Sequence, residues 1–224
     1  MRISEPSPLM TDLNQCKIYD ETLSDSKFGK DELDEYVNLY EKFIGITSGK
    51  VIDLGSGSCN FIIALSKKFA NLTFVCYDNS ETMLKIAQGK IEKENLSHRI
   101  RIVKDDVFDA FGNYDVVLSN RLLHNIESTD LFWKKIDVLG KNIFVVDVKR
   151  YDTNSQLTDF IKKISPYFHP SYIIDTENSF KSAYSYYEVK EQIKDYNYNL
   201  IEMDFNPLSD ILYSKLIVYK NSLL

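Results

Sequence analysis

Val51-Ile52-Asp53-Leu54-Gly55-Ser56-Gly57-Ser58-Cys59-Asn60-Phe61, VIDLGSGSCNF, joins a short apolar run to a segment whose apolar residues return at helical spacing. A glycine turn between strand and helix usually aims backbone N–H groups and the positive helix end at an anion. Asp53, two residues before the first glycine, would repel that anion. The stretch therefore reads as one strand–turn–helix unit of an α/β sheet whose ligand is not a plain phosphate.

Bulk properties narrow the frame. The chain has 224 residues, 26.0 kDa and 44% hydrophobic residues, which suits a single domain over 1–224 with a sizeable core. MRISEPSPLM has no apolar leader and no run reaches the length of a membrane span, so a soluble, cytoplasmic protein without membrane contact is expected. Cys16, Cys59 and Cys76 are odd in number and read as reduced thiols. His98, His124 and His169 are too scattered for a zinc motif, and no metal is expected. A net charge of −6 without a Lys/Arg cluster argues against a nucleic-acid partner.

Working outward from the loop, apolar strands and helices alternate. Leu33, Tyr36, Val37, Tyr40, Phe43 and Ile44 share a helical face, with Asp31 as N-cap and Gly45 as stop. Strands are expected at Lys50–Leu54, Leu72–Tyr77, Ile100–Val103, Asp115–Ser119 and Asn142–Val148, with helices after the loop, over Glu81–Glu92 and around Leu131–Leu139. Apolar strands separated by helices imply parallel pairing in a doubly wound sheet with helices on both faces. The pattern divides the chain into an arm or cap (1–30), a ligand-binding core (31–150) and a tail (151–224). In the tail, a helix over Thr153–Ile164 precedes an aromatic loop, Ser165–Tyr184, expected as an inserted lid. A helix from Tyr186 to Asp195 and two strands, Leu200–Phe205 and Ile211–Tyr219, complete the pattern. The polar residues 1–30 are either a mobile arm or a cap ordered by ligand.

The loop excludes one familiar ligand. A dinucleotide fingerprint needs a third glycine where Asn60 stands, and Asp53 opposes a diphosphate. A ligand carrying a sulfonium and an ammonium would instead be attracted. VIDLGSGSCN, Asp78 in FVCYDNSETML, Asp106 in VKDDVFD and YDVVLSNRLLHNIES occur in order over residues 50–150, and through them the chain resembles the class I S-adenosylmethionine-dependent methyltransferases. Cys59 departs from the family's last glycine. LSNRLLHN, VVDVKRY and NSFKSAYSYYEVKEQI extend the resemblance toward a small-molecule-type subgroup.

The resemblance implies a Rossmann-like methyltransferase fold and S-adenosyl-L-methionine as cofactor. It places Asp53, Gly55 and Gly57 at the methionine end, Asp78 with Asn79 on the ribose, and Asp106 with Val107 on the adenine, Asp105 being the alternate to Asp106. Met83 either packs the adenine ring or belongs to the core, and Tyr19 is a cap residue expected on the cofactor. Asn120 belongs near the reacting methyl, shared between cofactor binding and catalysis. His124 is either a general base or a helix-start side chain, and Arg121 is an acceptor-binding or catalytic candidate. Lys149 and Arg150 follow a strand end and are expected to face the cleft. Together these imply methyl transfer to a small polar or anionic acceptor. The alternatives are a non-catalytic cofactor-binding regulator and a methyltransferase acting on RNA or protein; oligomeric state is open.

Overall fold

The computed structural model describes residues 2–5, 10–208 and 211–222, so Met1 and residues 6–9 of the expected cap lie outside the described residues. Five parallel strands carry the core: β1 (Ser48–Leu54), β2 (Asn71–Asp78), β3 (Ile100–Lys104), β4 (Tyr114–Asn120) and β5 (Gly140–Val148). Two further strands, β6 (Asn199–Leu208) and β7 (Ile211–Lys220), form an antiparallel hairpin, and β7 docks antiparallel on β5. The order is β3-β2-β1-β4-β5-β7-β6. The expected doubly wound α/β sheet is present, but it is mixed at one edge.

Adjacent strand residues point to opposite faces, so the near-continuous apolar runs serve two cores. Val51, Val116 and Val146 pack with α2 (Lys27–Phe43), α3 (Asn60–Lys68) and α4 (Glu81–Lys93). Their neighbours Ile52, Val117 and Val145 pack with α5 (Thr129–Leu139) and α8 (Tyr186–Gln192) on the other face. A third cluster gathers Phe160, Tyr172, Phe180 and Tyr213 from α6 (Asn154–Ile164), α7 (Pro170–Ser182) and β7.

Three expectations are corrected. Residues 13–24 form a helix, α1 (Leu13–Ser24), capped by Asp12, whose carboxylate accepts from the Gln15 N–H. It is tied to the core by the protein's own contacts: Asp20 accepts from the Asn60 amide at 2.9 Å and from Lys90 at 2.5 Å. The following helix starts earlier than Asp31, because Ser26 accepts from the Gly29 N–H and caps it. The segment expected as an aromatic loop contains α7, with His169 as its N-cap and Pro170 in its first turn, a position where a missing N–H costs nothing. Of the aromatics expected in the lid, Tyr172 and Phe180 are core, whereas Tyr167 and Tyr187 are largely exposed.

Among the described residues no helix is long and apolar enough to cross a membrane, and no group of three or more His, Cys, Asp or Glu is arranged to hold a metal.

Candidate active site

The strand order reverses at β1, whose neighbours β2 and β4 lead to opposite halves of the sheet, and the crevice beyond the carboxyl ends at such a point is where open α/β sheets bind ligands. A cavity of about 450 Å³ lies there. Its walls include the residues expected on the cofactor: Asp53, Gly55 and Gly57 at the end of β1 and after it; Asp78, Asn79 and Met83 at the end of β2 and after it; Asp106 and Val107 after β3. Asn120, Arg121 and His124 at the end of β4 and after it, and Tyr19 from α1, line it too. Asp106 lines the cavity and its alternate Asp105 does not.

The glycine loop answers the question its sequence raised. The N–H groups of Gly55 and Ser56 both donate to the Tyr77 carbonyl, at 2.9 and 3.0 Å, and the Gly57 N–H donates to Asp78 Oδ2 at 2.8 Å. The amides that would cradle a phosphate are thus bonded to β2 and the carboxylate at its end. Gly55 (φ +78°) and Gly57 (φ +51°) need left-handed backbone, and a Cβ on Gly55 would press on Leu122 at 3.0 Å. Asn60, in place of a third glycine, spends its side chain on Asp20, Ser58 and Lys90, clasping α1 to α3 and α4.

Asp53 is 3% exposed, and burial, reinforced by the nearby Asp78, pushes its carboxyl up to about 7. Asp78 is raised by burial and partly compensated by the N–H groups of Ser80 and Gly57. Six buried side-chain polar atoms lack a hydrogen-bond partner among the described residues: Tyr36 Oη, Asp53 Oδ1, Ser56 Oγ, Asn120 Oδ1, Arg121 Nε and Asn125 Oδ1. All six residues line this cavity. Buried polar groups are normally paired, so their concentration in one place marks a ligand site.

At the other end of the cavity, His124 is 4% exposed and its ring Nδ1 lies 2.7 Å from Asp147 Oδ1, while its backbone N–H donates to Asp147 Oδ2 at 2.9 Å. The Val148 N–H also donates to that carboxylate. An ionised carboxylate only accepts, so Nδ1 carries a proton and donates it to Asp147. Glu5 Oε2 lies 3.6 Å from Nε2. The sequence offered no visible orienting partner for His124 because Asp147 is 23 residues away on the neighbouring strand β5.

Arg121 lines the cavity and is paired on one side. It has left-handed backbone (φ +55°), and one guanidinium nitrogen, Nη2, contacts both Glu32 oxygens at 2.8 and 3.0 Å. Burial pushes Glu32 up, but Arg121 and Lys215 outweigh it and hold the carboxyl below its usual value. Lys149 pairs with Glu202 at 2.6 Å, and Arg150 with Glu188 and the Ala183 carbonyl, each at 2.9 Å. Neither cation lines the cavity, so the cationic cleft wall expected from strand-end placement is not built.

Residues 52–142, from β1 into β5, match the model of a family described as a methyltransferase domain. The match covers less than half of the chain, and over that stretch the chain is similar to methyltransferase domains. Carboxy-S-adenosyl-L-methionine synthase of Nautilia profundicola is 28% identical over 148 residues, 63% of this chain and 62% of that protein, so the match takes in less than two thirds of the curated relative. A solved Methanococcus maripaludis protein described as an S-adenosyl-L-methionine-dependent methyltransferase superposes with a TM-score of 0.66 at 22% identity, covering 99% of this chain and 98% of that one. Magnesium protoporphyrin IX methyltransferase of Synechocystis, solved with S-adenosylhomocysteine bound, gives 0.61 at 18% identity over 95% of this chain and 89% of that one. The chain shares its fold with these Rossmann-like methyltransferases. The matched stretch leaves out α1, α2, most of β5 and everything after it, and from those parts Tyr19, Leu23, Glu32, Tyr36, Asp175 and Phe180 line the cavity.

Proposed function

We propose that the protein is an S-adenosyl-L-methionine-dependent methyltransferase acting on a small polar molecule. The observation that carries this is the set of orphaned polar atoms in the cavity, mostly oxygens seeking donors: Asp53 Oδ1, Ser56 Oγ, Asn120 Oδ1 and Asn125 Oδ1. An ammonium brings three donors and a positive charge, which Asp53 matches and a diphosphate does not. When bound, the cofactor supplies an electrophilic methyl on a sulfonium.

The chain's residues do the rest by position and electrostatics. Asp53 faces the methionine ammonium. Asp78, with both oxygens already oriented by the Gly57 and Ser80 N–H groups, offers its remaining lone pairs to the ribose hydroxyls, beside Asn79. Asp106, held by accepting from the Phe108 N–H, faces the adenine with Val107, and Met83 packs the ring. Phe108 also lines the cavity and is a contact the sequence reading missed. Asn120 stands near the reacting methyl. His124, with Nδ1–H held by Asp147, takes a proton from the acceptor at Nε2. Tyr19 and α7 close the cavity from above and limit water.

Calorimetry with S-adenosylmethionine, S-adenosylhomocysteine and reduced nicotinamide dinucleotide tests the cofactor reading. The first two are expected to bind and the third is not; binding of the third alone, or of none, overturns it.

A further inference from the structure

Resting on the methyl-transfer reading, the far end of the cavity carries information about the acceptor. Its charged lining is mostly acidic: Glu5 and Asp175 face it, while its one lysine or arginine among the described residues, Arg121, gives its Nη2 to the Glu32 carboxylate and keeps an unpartnered Nε. Among the described residues neither acidic group has a lysine or arginine partner. Glu5 is beside the His124 ring at 3.6 Å and accepts a long 3.5 Å bond from the Ser182 hydroxyl, and Asp175 accepts from the Gln15 amide at 2.7 Å. Burial raises both carboxyls; the nearby Asp175 adds to the rise at Glu5, and the Gln15 hydrogen bond offsets part of it at Asp175.

A second observation points the same way. Tyr36 is 2% exposed, lines the cavity and has an unpartnered hydroxyl. The rings of Tyr19 and Phe180 line it too, Tyr19 packing on Tyr172 with centroids 5.9 Å apart. Carboxylates together with aromatic faces and a free phenolic oxygen form the surroundings in which an ammonium is attracted and a carboxylate or phosphate is not.

The position of Glu5 is built rather than incidental. Arg2 Nε donates to the Ser182 carbonyl at 2.6 Å, its Nη2 donates to the His124 carbonyl at 2.9 Å, and its guanidinium covers the Tyr184 ring at 4.4 Å. The Ile3 N–H donates to the Lys181 carbonyl at 3.1 Å. This strap holds Glu5 across the loop that carries His124.

We propose that the methyl acceptor is a small molecule bearing a basic nitrogen, held as an ammonium by Glu5 and Asp175 and methylated on nitrogen. The ammonium loses one proton to His124 Nε2; the freed lone pair forms the N–C bond as the C–S bond breaks, and that bond's electron pair stays on sulfur. The products are a methylated ammonium, a neutral thioether and an imidazolium that returns its proton to solvent.

The test combines binding and transfer. Protein loaded with S-adenosylhomocysteine is mixed with a low-molecular-weight metabolite extract and gel-filtered, and retained compounds are identified by mass spectrometry. In parallel, label from methyl-labelled S-adenosylmethionine is followed into cationic, neutral and anionic fractions of the same extract. Retained compounds with a basic nitrogen and label in the cationic fraction are expected. Glu5→Gln with Asp175→Asn should cut retention at least about tenfold while leaving S-adenosylhomocysteine affinity within about twofold. Retention or labelling confined to neutral or anionic compounds overturns the proposal, as does S-adenosylhomocysteine binding with no retained compound and no label. Failure to bind S-adenosylhomocysteine overturns instead the methyl-transfer reading beneath it.

Discussion

Asp53 provides the sharpest test, because the same buried carboxylate is costly to the empty fold and useful to the bound one. Its carboxyl is raised from 3.8 to about 7, first by burial and then by Asp78. A raised acid binds its proton more tightly when folded, so below about pH 4 its ionisation affects neither state and above about pH 7 the folded state bears the full cost. Stability is lost as pH rises through that window. A shift of about 3 units corresponds to about 4 kcal/mol, an upper value for a site that water or a ligand reaches. Asp53→Asn keeps the shape and removes the titration. Urea unfolding of both proteins at about pH 5 and about pH 8, with ligand absent, should show the variant gaining on the wild type by about 1.5–2.5 kcal/mol between the two conditions, since part of the cost is already present at about pH 5. S-adenosylhomocysteine, whose ammonium stabilises the charged carboxylate, should release a proton on binding to wild type near neutral pH. The same ligand should bind Asp53→Asn with weaker affinity and without that release. A stability difference independent of pH would refute the argument that Asp53 is an isolated buried carboxylate awaiting a cation.

Other consequences follow from individual contacts. Asp78→Asn should lower S-adenosylhomocysteine affinity about 30- to 1,000-fold by calorimetry, reflecting a loss of about 2–4 kcal/mol at a charged hydrogen-bond site. The loop itself should loosen in this variant, since Asp78 also accepts from Gly57 and Ser80. Asp147→Asn should leave cofactor affinity nearly unchanged and slow methyl transfer by about 10²- to 10⁴-fold in single-turnover label transfer, because the imidazole loses the partner that fixes its tautomer. Arg150→Ala should cost about 1 kcal/mol of stability in urea unfolding and leave cofactor affinity intact, since its guanidinium serves Ala183 and Glu188 rather than the cavity. Asn60→Gly should increase hydrogen exchange in residues 13–24 without conferring nicotinamide binding, because the clasp on Asp20 is lost while Asp53 stays.

The residues proposed to hold the cofactor could be brought together from the sequence because they are local in it: each follows its own strand, and parallel strands align their carboxyl ends. Asp53, Asp78, Asp106 and Asn120 therefore meet at one cavity by topology alone. Those proposed to face the acceptor could not, because their contacts are long-range. Glu5 reaches His124 from a strap at the chain's start, Glu32 meets Arg121 across 89 positions, and Asp147 orients His124 from the adjacent strand. Placement at a strand end also misled where a nearer carboxylate captured the charge: Lys149 and Arg150 follow β5 as expected, yet Glu202 and Glu188 turn both away. Position after a strand brings a residue to the rim; which way a long cationic side chain turns from there is decided by the partner it finds.

That distinction carries the argument about the acceptor. With Lys149 and Arg150 engaged elsewhere and Arg121 neutralised by Glu32, the reason to expect an anion disappears, and what is left facing the cavity is Glu5, Asp175, the His124 ring and aromatic faces. The charge pattern at the two ends is then consistent: Asp53 at one end suits the cofactor's ammonium, and Glu5 with Asp175 at the other suits an amine. Two cationic ligands in one cavity would repel; Glu32 is spent on Arg121, and the other six acidic residues along the wall, Glu5, Asp53, Asp78, Asp106, Glu127 and Asp175, would offset that repulsion. Methyl transfer removes the sulfonium charge and leaves the cofactor product neutral at sulfur. The cofactor's share of the attraction to this wall therefore falls after reaction, and raised salt should weaken S-adenosylmethionine binding more steeply than S-adenosylhomocysteine binding. Equal salt dependence of the two in calorimetry would show that the acidic wall does not act on the sulfonium.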